Sequence, residues 1–180
     1  ELSLSSDDNT HISKITLKTP TFGKLTLNAP MPIADILALY KEEFDKINIF
    51  GTGEFNKDYD EFFSGKSYLN PLTGLDESPV FLANVSFEPS CRNNWHIHHA
   101  SKGGGQILIC TAGSGWYQEE GKDPVSLEPG KVIVIPPEVK HWHGAKSDSW
   151  FSHIAVEVPG ENTSNEWLKA LTDEEYEKLE

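Results

Sequence analysis

With 180 residues, 37% of them hydrophobic and 11% aromatic, the chain can bury the core of one folded domain and is too apolar for a disordered segment. A formal charge of −13, from 28 acidic against 15 basic side chains, repels duplex nucleic acid and anionic bilayers, so neither is expected as a partner. No apolar run approaches the ~20 residues of a bilayer span and no secretory h-region opens the chain, so a cytoplasmic location is expected.

Residues 1–10 are polar and read as a frayed tail. His11 to Lys18 and Phe22 to Asn28 alternate apolar and polar on either side of Thr19-Pro20-Thr21, with Ile15, Leu17, Leu25 and Leu27 on one face. This pattern predicts a half-buried hairpin, making residues 1–30 a polar tail plus hairpin extension. Such a hairpin can close one end of a barrel or add to a partner's sheet edge. Residues 31–66 read as a helical segment packing on the barrel. Pro32 to Ile49 carries Ile33, Ile36, Leu37, Tyr40, Phe44 and Ile47 at helical spacing, and Phe55 to Phe63 reads as a second short helix.

From Ser67 the pattern changes to short strands punctuated by Gly and Pro, over residues 67–160. The predicted strands are Ser67–Leu69, Val80–Phe87, Asn94–His98, Gln106–Thr111, Gly115–Glu119, Val125–Leu127, Lys131–Ile135, His141–Ala145 and Trp150–Val158. Regular short strands of this kind argue a mainly β sandwich or barrel. Gly103-Gly104-Gly105 is not a phosphate loop, because no Gly-Lys-Ser and no helix follow it. Residues 161–180 read as a helical tail, with Thr172 and Glu175 in capping-box spacing ahead of a helix from Thr172 to Glu180. Cys91 and Cys110 are too few for a disulfide framework and read as reduced, buried thiols. Asn84-Val-Ser86 and Asn162-Thr-Ser164 match the glycosylation sequon, a match that arises often by chance.

Four side chains in the strand-rich stretch form a candidate metal site: His96, His98, Gln106 and His141. The two histidines of a His-x-His strand point to one face because side chains alternate with period two. Neutral imidazoles aimed into one cavity, completed by an amide oxygen, suit a divalent ion. A lone buried histidine is ordinarily a satisfied core group, and it is the four candidate ligands together that point to an ion. Gln106 in place of a carboxylate leaves the ion's charge uncompensated, which favours Lewis-acid chemistry over oxidation. Alternation also turns His143 inward from His141, and places His153 on the inner face with Phe151 and Ala155. Either histidine suits a catalytic acid–base role, since imidazole titrates near working pH, or can instead orient a ligand. Arg92 suits a substrate carboxylate or, more commonly, a rim salt bridge. Trp95 and Trp142 alternate away from the site as packing residues, and Cys110 faces inward with no base beside it.

On these residues the chain resembles the cupin superfamily. His96 and His98 match the His-x-His of the family's first motif, with Gln106 at the position of its Glu and Gly113 at its closing glycine. Gly130, Pro136 and His141 match the second motif. Ser90, Glu138 and Ala145 stand where the family carries Gly, Gly and Asn, and the glycine triplet lengthens the interval before Gln106. The resemblance spans about Val80 to Val158. Arg92-Asn93-Asn94-Trp95-His96, Gly115-Trp116-Tyr117-Gln118 and His141-Trp142-His143-Gly144-Ala145 are similar to small bacterial cupins. That group includes manganese-dependent hydroxynitrile lyases and proteins named after carboxymuconolactone decarboxylase.

The resemblance implies a cupin (RmlC-like) jelly-roll barrel with N-terminal helical segments and a short C-terminal helix. It implies a divalent metal, manganese first, with zinc, nickel, iron or cobalt as other occupants of the same ligand set. It also implies pocket histidines at His143 and His153, and a homodimer, to which exposed edge strands also point. The expected function is a metal-dependent lyase- or isomerase-type enzyme acting on a small oxygenated substrate. The alternative is a non-catalytic cupin that binds or senses a small ligand around a structural metal.

Overall fold

The computed structural model describes residues 2–6, 11–19, 23–27, 31–74 and 76–179, with side chains from residue 35 onward. The chain divides into two compact units, Glu1–Ile47 and Asn48–Glu180.

The first unit holds strands β1 (Leu2–Ser6), β2 (His11–Thr19), β3 (Gly23–Leu27) and β4 (Met31–Pro32), then helix α1 (Ile33–Ile47). β2 pairs antiparallel with each of the other three strands. The β2–β3 register sets Ile15 opposite Leu27 and Leu17 opposite Leu25, the hairpin that the alternation predicts. Leu2–Ser6, within the stretch whose polarity predicts a frayed tail, instead forms β1, with Leu2 opposite Leu17 and Leu4 opposite Ile15; residues 1 and 7–10 lie outside the described residues. In α1 the Lys41–Asp45 ion pair spans one helical turn, and Asp35 and Lys46 sit at the ends that the helix dipole favours.

Among the described residues the second unit contains the strands β5 (Glu54–Phe55), β6 (Phe63–Ser64), β7 (Ser67–Pro71), β8 (Phe81–Phe87), β9 (Arg92–Asn93), β10 (His96–His99), β11 (Lys102–Gly103), β12 (Gln106–Gly113), β13 (Gly115–Glu119), β14 (Val125–Leu127), β15 (Val132–Ile135), β16 (His141–Ala145), β17 (Phe151–Glu157), β18 (Gly160–Glu161) and β19 (Ser164–Trp167). A short helix, α2 (Asp173–Glu177), follows. One large sheet runs β15-β12-β17-β8-β7-β5, a second runs β14-β13-β16-β10-β19 with β9 on β16 and β6 on β9, and β11 pairs with β18 as a separate two-stranded ribbon. Val85, Phe87, Leu108, Cys110, Phe151 and Ala155 of the first sheet meet Tyr117, Leu127 and Ala145 of the second in one buried core. This is the mainly β, double-sheet barrel that the strand pattern implies.

Two expected helices are corrected. Phe55–Phe63 contains only a 3-10 turn, Lys57–Phe62, and Phe63 already starts β6 by pairing with Asn93. Residues 161–180 are not a helical tail throughout. Ser164–Trp167 adds β19 to β10, pairing Trp167 with His96 and Asn165 with His98. Only α2 is helical there, closed by the Thr172–Glu175 capping box.

Two non-glycine residues keep the backbone of the glycines they stand for. Ser90 has φ 68° and Glu138 φ 66°, both left-handed. Glu138 is held there by its carboxylate, which contacts the His99 ring at 2.6 Å and accepts from the Ala100 N–H at 3.0 Å. The glycine triplet is sterically required rather than a loose insertion. All three residues have positive φ, and a Cβ on Gly105 would lie 2.3 Å from the Ile135 carbonyl oxygen. Its tight turn delivers Gln106 directly opposite Ile135 and Glu157. Asn84 is fully buried and bonded to Asn48, Gly51 and Ser152, which leaves no room for a glycan.

Candidate metal centre

β10 and β16 are neighbours, and their one direct pairing sets His96 against His141. Alternation places His98 on the same face as His96. The three imidazoles are buried, and their candidate ligand atoms lie within 4.8 Å of one another. Each ring is oriented through Nδ1, which bonds the Asn94 carbonyl at 3.0 Å in His96, the Val139 carbonyl at 2.9 Å in His141, and Asn165 Oδ1 at 2.8 Å in His98. A carbonyl oxygen can only accept, so the ring proton sits on Nδ1 and Nε2 carries the lone pair. Nε2 of His98 and of His141 are buried without a hydrogen-bond partner among the described residues. Burial, reinforced by the facing imidazoles His141 and His98, holds His96 far below the ordinary histidine range, and burial draws His141 down to about 4. The His96 and His141 rings are therefore neutral at neutral pH. Three converging imidazoles, each anchored through Nδ1, are a donor set that fits a divalent cation.

Gln106 opens β12 and lines the same cavity, of about 280 Å³, with His96, His98, His143 and His153. Its amide nitrogen donates to Glu157 Oε1 at 2.5 Å, and Gln106 Oε1 is buried without a partner among the described residues. His143 and His153 both point into this interior, with ring centroids 4.8 Å apart. Neither nitrogen of His153 has a partner of normal hydrogen-bond geometry, and burial pulls its pKa to about 4. Burial likewise holds His143 far below its usual range, with the neighbouring His153 adding to it.

Several residues take other places. Arg92 points away from the cavity: it pairs with Asp173 at the start of α2 and lies 4.5 Å over the Tyr176 ring, so the substrate-carboxylate role is excluded. Trp95 and Trp142 pack with Leu171 and Tyr176, as their outward alternation predicts. Cys91 and Cys110 are free and buried; burial raises both thiols, Cys110 to about 11. Three functional neighbours escape sequence reasoning. Asn165 of β19 orients His98, Trp167 of β19 lies 4.8 Å from the His96 ring and stacks on Phe62 at 4.7 Å, and Asn93 of β9 holds His143. No hydrophobic alternation marks β19, because it is a short edge strand with one large apolar side chain.

No protein-family model matches the chain. It is 37% identical over 119 residues to an (R)-mandelonitrile lyase of Granulicella tundricola, covering 66% of this chain and 88% of that protein. Among solved structures it is similar to a cupin-like protein from Thermotoga maritima, at 39% identity and TM-score 0.63, over 72% of this chain and 95% of that one. A cupin 2 conserved barrel domain protein from Rhodopseudomonas palustris shares the fold at 14% identity and TM-score 0.50, over 66% of this chain and 74% of the other. Among the described residues, no helix is long and apolar enough to cross a membrane.

Proposed function

This chain belongs to the cupin superfamily, and from that premise we propose that its cavity is the active site of a metal-dependent lyase acting on small hydroxy compounds of the cyanohydrin kind. His96, His98 and His141 would hold a divalent ion through Nε2, and Gln106 through Oε1, with manganese as the leading candidate from the resemblance. The observation that carries this reading is a set of buried acceptors without a hydrogen-bond partner among the described residues: Nε2 of His98 and Gln106 Oε1 on the cavity, and Nε2 of His141, grouped with His96 and His98 within 4.8 Å. Each would cost about 1–3 kcal/mol if nothing ever satisfied it. The bound ion supplies Lewis acidity, polarising a substrate oxygen and lowering the cost of removing its proton.

The chain's own residues supply the rest. Phe63, Phe87 and Trp167 give the cavity an apolar wall that excludes water around the substrate body. In the cleavage direction, the His143–His153 pair takes the hydroxyl proton, and the O–H electron pair becomes the second carbon–oxygen bond. The bond to the nitrile carbon breaks with its electron pair on cyanide. Cyanide then collects the proton, so the products are an aldehyde and hydrogen cyanide. A homodimer belongs to the same reading, supported by edge strand β15, whose Val132 and Val134 stay 53% and 65% exposed.

The test is reconstitution of metal-free protein with one metal at a time, followed by cleavage of a cyanohydrin panel that includes mandelonitrile. Turnover should vanish on chelation and return with one ion. Equal turnover with and without chelator overturns the reading, and thermal stabilisation by ligands without any product favours a binding role instead.

A further inference from the structure

We infer that Asn93 is a positioning residue that fixes His143 as its Nδ1–H tautomer, so that His143 offers the cavity a hydrogen-bond donor and leaves proton acceptance to His153. This division of labour rests on the cavity being the active site; the tautomer itself does not. Asn93 is 2% exposed and sits in β9, which pairs with β16 through Arg92 and Gly144. Its side chain grips His143 at two points. Asn93 Oδ1 accepts from the His143 backbone N–H at 2.9 Å, and Asn93 Nδ2 lies 3.0 Å from His143 Nε2.

These two contacts determine each other. A backbone N–H can only donate, so the atom facing it must be the amide oxygen, and the orientation of Asn93 follows. The amide nitrogen then faces Nε2, and since it too can only donate, Nε2 must carry a lone pair. The proton of the neutral ring is left on Nδ1. Nδ1 is buried without a hydrogen-bond partner among the described residues, on a ring that lines the cavity.

His143 therefore shares a tautomer with His96, His98 and His141 but presents the opposite edge. Those three aim a lone pair inward, whereas His143 aims a proton. This separates His143 from the ligand set although it follows His141 by two residues on the same strand face: Nε2 is occupied by Asn93 and Nδ1 is protonated. His153, neither of whose nitrogens has a partner of normal hydrogen-bond geometry among the described residues, is the ring able to accept a proton. The cavity wall thus pairs an acceptor for the substrate hydroxyl with a donor for the departing anion.

The experiment is a two-bond proton–nitrogen correlation spectrum of the histidine rings in the full ¹⁵N-labelled chain loaded with diamagnetic zinc, for wild type, Asn93→Ala and Asn93→Asp. Wild-type His143 should show a protonated Nδ1 and an unprotonated Nε2. Asn93→Asp should invert this, since a carboxylate accepts from Nε2–H, and should lower kcat about 10²-fold with little change in KM. A wild-type Nε2–H tautomer overturns the inference, as does an Asn93→Asp variant with unchanged ring signals and kcat. The wild-type spectrum decides the tautomer even if a variant fails to fold. A spectrum as expected from a protein with no turnover on any cyanohydrin would retain the tautomer and remove the lyase reading alone.

Discussion

Gln106 and Glu157 are cross-strand partners on β12 and β17, and the Gln106 amide nitrogen donates to the Glu157 carboxylate at 2.5 Å. The contact does two things at once. It occupies the Gln106 amide nitrogen, so that Oε1 is the atom left to serve the proposed centre, and it places a carboxylate one hydrogen bond from that amide. In the proposed centre this carboxylate would partly balance the charge that an amide ligand leaves uncompensated. Glu157→Gln keeps an acceptor for the Gln106 amide and removes only the charge, whereas Glu157→Ala removes both. We expect Glu157→Ala to weaken metal binding about 10–100-fold, with Glu157→Gln intermediate. Chelator competition measures this, and indistinguishable affinities for all three proteins would show that Glu157 has no part in holding the ligand.

Substitution of a ligand histidine should separate binding from folding. His141 is fully buried, so His141→Ala both removes a lone pair and opens a void, and stability alone would mislead. His98→Ala is the cleaner variant, because the Asn165 partner it leaves behind lies at an exposed strand. The expected outcome is loss of stoichiometric metal together with loss of the metal-dependent rise in Tm, since an ion that binds only the folded state stabilises it by mass action. Metal retained at wild-type stoichiometry in both His98→Ala and His141→Ala would refute the three-histidine centre.

The parts legible in the sequence share one cause. His96 and His98, His141 and His143, and the row Phe151, His153, Ala155 are all read from period-two alternation, which a strand with one buried face must obey. The helix α1 was legible for the corresponding reason at period 3.6. What escaped depends on partners far away in sequence. Asn165 meets His98 across 67 positions and Asn93 meets His143 across 50. Neither asparagine carries a local signal, because amides serve turns, edges and cores alike. Arg92 follows the commoner of its two expected readings, a salt bridge, here with Asp173; one step along the strand reverses the face, so Asn93 rather than Arg92 meets the pocket.

Ser90 offers a stability gain. Its left-handed φ costs an L-residue roughly 1–2 kcal/mol, whereas glycine adopts it freely but loses about 0.5–1 kcal/mol through its greater unfolded-state freedom. Its backbone bonds, N–H to the Lys146 carbonyl and carbonyl from Arg92, survive the substitution. Ser90→Gly should stabilise by about 0.5–1 kcal/mol, or roughly 2 °C in Tm for a chain of this size. Glu138→Gly should not, since it also gives up the carboxylate contacts to His99 and Ala100. A lower Tm for Ser90→Gly would mean that the strain is not borne at this residue.

His153 should make the fold sensitive to acid over a defined window. Burial draws its pKa to about 4, against about 6.5 in the unfolded chain. Between those values the unfolded state binds a proton that the folded state refuses, so stability rises with pH there and is lost as pH falls from about 6.5 toward 4. Above about pH 6.5 both states carry a neutral ring and the group contributes no slope. The full difference is on the order of 3 kcal/mol, and most of it is already lost near pH 4.5. His153→Leu has no proton to bind, so its stability relative to wild type should improve by about 2 kcal/mol between pH 7 and pH 4.5. His96 and His141 are held below the usual range in both proteins and cancel in the comparison, whereas His143, beside His153, loses only the part of its depression that His153 adds to burial. Urea unfolding of the metal-free proteins at the two pH values gives the difference directly. Parallel pH profiles for wild type and His153→Leu would show that the buried ring is already protonated, or paired, in the folded protein.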